Sequence, residues 1–417
     1  MNILFLRLTG CILSAAFLFG FSHLSIAAEK KNPLTQYWMD VSTQSMSIPG
    51  MSSEDMGAME GMMMGRMAGM GPRRSLMLQL NSPKQIPANP EATHDIPPGQ
   101  RMGSTLPLQI PERTKPAKEE DGDEIKYEKP KMRMLMYWGC SETIRQGQPK
   151  VLDTEKMSMM DFGKAMAGRS GSSQHAPSPR SGWAYAEWPN RENRMEVPTG
   201  SSLVGDHFVH GNYSPDIKFF VDDKHDFMAP VEFSSVKGGL ADSIKFQWKK
   251  IPTALGYFAM AMASNEKTGE MVIWSSSEPQ DPGYGLMNYL SPADVQKFIR
   301  DKAVMGPEVT SCSIPQGIFK ESNGAAVQFI GYGDELNIAY PPKPKDPKIP
   351  HEYIWAMKLR NKSTGMLPLG HEDGKKEQRS RGRQQDQEER PAETEKSKEG
   401  PGKDPGTLNK IRGIFGF

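Results

Sequence analysis

The sequence predicts a mainly β protein: two antiparallel β-sandwich-like domains with one short helix, flanked by a signal peptide, a Met/Gly-rich segment and a disordered charged C-terminal tail. Three observations predict it. Ile244, Phe246 and Trp248 alternate with Lys245 and Gln247, the mark of a strand with one dry and one wet face. Gly256 to Ala263 is apolar on both faces, as expected of a strand covered from two sides, and Gly269 turns it back into Met271–Trp274. Short alternating runs ended by proline recur on both sides of this stretch.

In chain order, Arg7 precedes the apolar run from Leu8 to Ala28, and Ser25-Ile26-Ala27 supplies the small residues a signal peptidase reads. Residues 1–27 are therefore expected to be a signal peptide. Leu8-Thr9-Gly10-Cys11 offers lipobox chemistry as a rival, but most of the apolar run follows Cys11. Residues 28–74 read as a flexible Met/Gly-rich segment.

Residues 75–228 form a first β-rich domain. Leu76, Leu78 and Leu80 alternate, as do Leu106, Leu108 and Ile110, and residues 132–138, 202–210 and 217–221 are strand-like. A disordered excursion near 154–182 is expected because its glycines, serines and prolines carry no burial pattern. Residues 229–365 form the second domain. It includes a helix capped by Ser291 with Pro292 in its first turn, then strands at 326–330, 336–340 and 351–359. Pro341 to Pro350 reads as extended chain crossing the surface. Residues 366–417 are a charged tail closed by Leu408, Ile411, Ile414, Phe415 and Phe417, whose spacing suits a short apolar turn and a weak contact with a membrane surface.

At the central stretch a family resemblance emerges. Trp248, Ile251-Pro252, Ala254 and Gly256-Tyr257 resemble the second-to-third strand signature of fibronectin type III modules, which implies a β-sandwich for the second domain. The segments MLMYWGCSETIRQGQPKVLD, MVIWSSSEPQDPGYGLMNYL and EYIWAMKLRNKSTGML are similar to stretches of uncharacterised exported bacterial proteins, which implies export and carries no activity.

Composition narrows the function classes. With 51 basic against 50 acidic residues, the chain lacks the positive excess of a nucleic-acid binder. No phosphate-binding loop, dinucleotide fingerprint, zinc-protease motif or calcium loop occurs, so no cofactor is expected. Gly168-Arg169-Ser170-Gly171-Ser172 fails the nucleophile-elbow pattern. His207 and His210, three apart on a strand, point to opposite faces and cannot share an ion there. The expected role is an exported, non-catalytic binding or structural protein of the periplasm or the extracellular space, with a protein or glycan partner; the alternatives are a periplasmic Cu(I)/Ag(I)-binding protein using the Met-rich segment and, third, an enzyme of unrecognised type.

Candidate residues follow from side-chain chemistry. Trp183, Tyr185 and Trp188 could stack on a sugar or anchor a partner, although core is the commoner fate of such aromatics. Met56, Met59, Met62, Met64, Met67 and Met70 present soft thioethers that could wrap Cu(I) or Ag(I). The glycines at 57, 61, 65 and 69 recur every four residues and suit a weak self-associating helix instead. Cys140 and Cys312 are the two cysteines left after signal removal; they can pair in an oxidising compartment or remain separate buried thiols. Mass spectrometry of the protein recovered from producing cells is expected to find a chain beginning at Ala28. A chain beginning at a lipid-modified Cys11, or retaining Met1, contradicts the signal-peptide reading.

Overall fold

The computed structural model describes residues 34–47, 71–112, 131–172, 175–265, 267–346 and 348–370. Residues 1–27, the candidate ligands Met56, Met59, Met62, Met64, Met67 and Met70, and the tail beyond Gly370 lie outside them. The first half of the described chain supplies β1 (Thr35–Met46), β2 (Arg73–Ser82), β3 (Ala92–Asp95), β4 (Thr105–Pro107), β5 (Arg133–Trp138) and β6 (Lys150–Asp153). A helix, α1 (Met159–Met166), precedes β7 (Ala184–Trp188), β8 (Gly205–Gly211) and β9 (Ile217–Val221). The second half supplies β10 (Phe233–Lys237), β11 (Ile244–Trp248), β12 (Gly256–Ser264), β13 (Met271–Ser275), helix α2 (Pro292–Arg300), β14 (Ser311–Ile314), β15 (Ala325–Tyr340) and β16 (Trp355–Leu369).

These strands form three sheets. Nine lie side by side in the order β6-β5-β13-β12-β15-β16-β1-β2-β7, four in the order β4-β3-β8-β9, and three in the order β10-β11-β14. The protein is mainly β, but the large sheet is mixed rather than antiparallel, because β1 pairs parallel with β16 and β13 parallel with β5. It also takes strands from both sides of residue 228, where the sequence suggests a domain boundary. The boundary survives only in the two smaller sheets, the four-stranded one built before residue 228 and the three-stranded one after it. The described residues up to Pro368 pack as one compact unit.

Two expectations about disorder are corrected. Within the segment read as flexible, residues 35–46 are β1, and Tyr37, Met39 and Val41 are fully buried in alternation. Their signal is a strand pattern diluted by the Met/Gly-rich residues that follow. Within the expected excursion, Ser158 caps α1 by accepting from the Asp161 N–H at 3.1 Å. The helix lays Phe162, Ala165 and Met166 against Met134, Met136, Leu152 and Ile273. Beyond it, the Arg169 N–H and guanidinium both donate to the buried carboxylate of Asp281, at 2.9 and 3.1 Å, which pins the chain. Helix α2 forms where its cap predicts, with Ser291 accepting from Asp294 N–H and Val295 and Phe298 buried.

Two of the cores on the large sheet join it to the smaller sheets. One gathers Tyr37, Met39, Val41, Leu76, Leu78, Leu80, Trp355, Met357 and Leu359 with Leu106, Val209, Ile217, Phe219 and Val221 of the four-stranded sheet. The other is aromatic: Trp248 of β11 lies 4.7 Å from Phe329 and 5.7 Å from Tyr257, and Phe233 lies 5.6 Å from Phe329. Cys140, just after β5, is disulfide-bonded to Cys312 in β14, so the three-stranded and nine-stranded sheets are also tied covalently.

Residues between β9 and β10 cross over the β1/β16 seam. Thr43, Ser45 and Ser363 donate their hydroxyls to the carbonyls of Met228, Val231 and Ala229 at 2.7, 2.9 and 2.8 Å. The approach is so close that a Cβ on Gly365 would stand 2.8 Å from Val231.

The opposite face of that seam carries charge. Arg360 binds Asp40 with two hydrogen bonds, Nε at 2.5 Å and Nη2 at 2.7 Å, from directly opposed register positions. The guanidinium also stacks over Trp38 and Tyr289, at 5.0 and 4.4 Å. Lys362 Nζ sits 4.3 Å from the Tyr289 ring centre, and burial, aided by Arg360, pushes its ammonium down to about 8. Both members of the Asp40–Arg360 pair are about 10% exposed, so removing one leaves a desolvated charge. Asp40→Ala is expected to cost about 3 kcal/mol in urea unfolding, with Asp40→Ala/Arg360→Leu recovering most of the loss. Equal losses in the single and double variants would refute this account of the pair.

Candidate functional site

The aromatic residues singled out in the sequence do not form a surface patch. Trp188 is 1% and Tyr185 5% exposed. The Tyr185 hydroxyl donates to Glu187 at 2.9 Å and accepts from Gln79 at 3.4 Å. Trp183 is partly exposed, with the Arg180 guanidinium 3.1 Å from the centre of its ring. The physical reason is position: β7 closes one edge of the large sheet against β2, so Trp188 is drawn into the core opposite Leu78. The thioether residues from Met56 to Met70 lie outside the described residues.

A different aromatic surface is exposed, on the outer face of β3, β8 and β9. In β9, Ile217, Phe219 and Val221 point inward, which leaves Lys218 and Phe220 on the wet face. In β8, His207 and Val209 are buried while Asp206, Phe208 and His210 face outward. Register sets Phe208 between Asp95 and Lys218, Asp206 opposite Phe220, and His210 opposite Thr93. The Phe208 ring stacks on His210 at 4.5 Å and takes the Lys218 ammonium at 4.6 Å, while His210 Nε2 reaches Thr93 Oγ1 at 3.0 Å and Asp95 at 3.2 Å. Phe220 remains 55% exposed. Asp95, Asp206, Phe208, Lys218 and Phe220, with His207, line an open groove of about 560 Å³. The sequence did carry a hint: Phe220 breaks the alternation of IKFFV by setting a large apolar side chain beside Lys218 on the polar face.

Beneath the groove lies a closed polar chain. Tyr37 Oη lies 2.8 Å from His94 Nδ1, His94 Nε2 2.9 Å from His207 Nδ1, and His207 Nε2 2.7 Å from the Leu203 carbonyl. The carbonyl can only accept, so His207 donates from Nε2, and its Nδ1 in turn accepts from His94 Nε2–H. His94 Nδ1 then accepts the Tyr37 O–H. Every ring nitrogen is used, so neither imidazole keeps a lone pair free for a metal. His207 and His210 do face opposite sides of β8. No group of three or more His, Cys, Asp or Glu side chains able to hold a metal occurs among the described residues.

Burial sets the protonation of this chain. It pushes His94 well below 6.5, with the neighbouring His207 adding to the effect. It also lowers His207, against the opposing pull of the Leu203 carbonyl and Asp206. Burial raises the Tyr37 hydroxyl well above 10.

No protein-family model matches the sequence, and no curated protein and no solved structure gives a significant match. The surface therefore has to be read from its own chemistry.

Both histidines are neutral when folded and bind a proton more readily when unfolded. Their contribution is complete above about pH 6.5 and is lost as pH falls from there toward the lowered folded values. The unfolding free energy in urea is expected to hold steady above pH 7 and to decline below 6.5, by up to about 1.4 kcal/mol per pH unit for each histidine. His94→Gln, whose amide can keep both hydrogen bonds without titrating, should flatten that decline. An unchanged slope would show that the pair does not govern it.

Proposed function

We propose that the protein is an exported, non-catalytic binding protein whose ligand face is the groove on β3, β8 and β9, and that the ligand is a glycan. The observation that carries this reading is the exposed ring of Phe220, diagonally across from Phe208, in a groove framed by Asp95, Asp206 and Lys218. A sugar ring has an apolar C–H face and a rim of hydroxyls; the exposed Phe220 ring suits the first, and carboxylates and an ammonium suit the second. The contacts of Phe208 with His210 and Lys218 hold the groove wall beside Phe220 in place before any ligand arrives, which lowers the entropy lost on binding. The closed hydrogen bonding of the histidines below supports a non-catalytic role, since neither has a free nitrogen to move a proton at the surface.

We further propose that β10 to β16 form a fibronectin type III-like sandwich. The orders β10-β11-β14 and β13-β12-β15-β16 follow the two-sheet arrangement of such modules. Trp248 and Tyr257 make the aromatic contact that the resemblance implies, 5.7 Å apart, with the Tyr257 hydroxyl accepting from the Ile251 N–H at 2.9 Å. On this reading the β3/β4/β8/β9 sheet and its shared strands are a second sandwich-like half that carries the ligand face.

A glycan array probed with the purified protein is expected to return a reproducible set of sugars, lost in Phe208→Ala/Phe220→Ala with an unchanged melting temperature. Retention of the signal by that variant, or no sugar bound by the natural protein while a protein partner co-purifies through this face, refutes the glycan assignment.

A further inference from the structure

The chain between β15 and β16 carries the largest group of exposed apolar side chains in the described second half. Tyr340 is 49%, Ile349 53%, Tyr353 39% and Ile354 54% exposed. They share the segment with Lys343, Lys345 and Lys348, all exposed, against two carboxylates, Asp346 and Glu352. None of the three lysines forms an ion pair among the described residues.

The segment is nonetheless held in place at its base. Ile354 N–H donates to the Tyr340 carbonyl at 2.7 Å, and the Tyr340 ring stacks on Trp355 with centroids 5.6 Å apart. Near the tip, Asp346 accepts from the Lys348 N–H at 2.9 Å and the Ile349 N–H at 3.2 Å, a turn that presents Ile349 outward. Thr35 N–H donates to the Ile354 carbonyl at 3.1 Å, which ties this base to β1.

We propose that this segment is a membrane-docking tip, in which Ile349, Tyr353 and Ile354 insert shallowly into the headgroup boundary of an anionic bilayer while Lys343, Lys345 and Lys348 hold its surface. The chemistry separates a bilayer from a protein partner. A protein needs a matched recess for each side chain, whereas a bilayer accepts isoleucines spaced along a proline-stiffened loop in any arrangement. Tyrosine is at home where one end of the ring is dry and the other wet. Lysines beside such side chains gain from the negative surface potential of anionic lipid. No helix among the described residues is long and apolar enough to cross a membrane, so the contact made here is a peripheral one.

The test is sedimentation of the processed protein, recovered from producing cells, with vesicles of phosphatidylglycerol and phosphatidylcholine mixed, against phosphatidylcholine alone. Binding is expected to the anionic vesicles only and to weaken with salt. Lys343→Ala/Lys345→Ala/Lys348→Ala should weaken it by about tenfold or more, and Ile349→Asp/Ile354→Asp should abolish it. All five positions are exposed, and circular dichroism melting of each variant is expected to match the natural protein. Absence of binding, equal binding to both vesicle types, or full retention by either variant overturns the proposal; retention by both assigns the contact to another part of the chain.

Discussion

The parallel pairing of β1 with β16 is the interaction on which the rest of the structure depends. It runs in unbroken register from Thr35↔Trp355 to Met46↔Met366, joining the first described strand to the last. Without it the nine-stranded sheet falls into two separate sheets, each with a raw edge of unpaired N–H and C=O groups. The inward faces of the two strands, Tyr37, Met39 and Val41 beside Trp355, Met357 and Leu359, form the wall on which the four-stranded sheet rests. Their outward faces carry the Asp40–Arg360 pair and its aromatic cover. Both faces have to agree on one register, since a slip of a single residue would send arginine into the apolar core and leucine to the charged side.

Many of the polar groups buried around this seam are matched where they are enclosed, Asn361 Oδ1 being an exception. Arg360 is paired and stacked, the hydroxyls of Thr43, Ser45 and Ser363 cap the carbonyls of the crossing segment, and the histidines end on a backbone oxygen. Hydrogen bonds of this kind add little net stability one by one, but an unmatched partner is expensive, so they fix how the crossing segment lies. The consequence for function is a rigid support: the strands that present Phe208 and Phe220 are the same ones whose inner residues, His207 and Phe219, are locked below.

The two surfaces to which roles are assigned differ in kind. The groove is built on paired strands whose side-chain spacing is set by the pleat, which suits recognition of a ligand of defined shape. The segment between β15 and β16 is a loop with few internal bonds, which suits a contact that needs apolar reach and charge more than shape. Separating these demands onto strand and loop lets the one vary without disturbing the other.

Much of the fold was legible in the chain. The alternation of Ile244, Phe246 and Trp248, the two-sided apolar run from Gly256, and the Ser291–Pro292 helix start all report local rules that tertiary structure had no reason to override. Strand partners were not legible, because hydrogen-bonding groups are the same at every residue and a parallel match between positions some 320 apart leaves no local trace. For the same reason β1 was hidden in a stretch whose composition reads as loose, and α1 in one with no evident burial pattern. The candidate site shows the limit most plainly. Tyr185 and Trp188 have the chemistry of a binding pair, and Phe208 and Phe220 no obvious claim to one. Amino-acid sequence determined that Phe208 and Phe220 lie on strands; only the pairing of β7 with β2 and of β8 with β9 decided which of the four aromatics face water, because exposure is a property of what packs alongside.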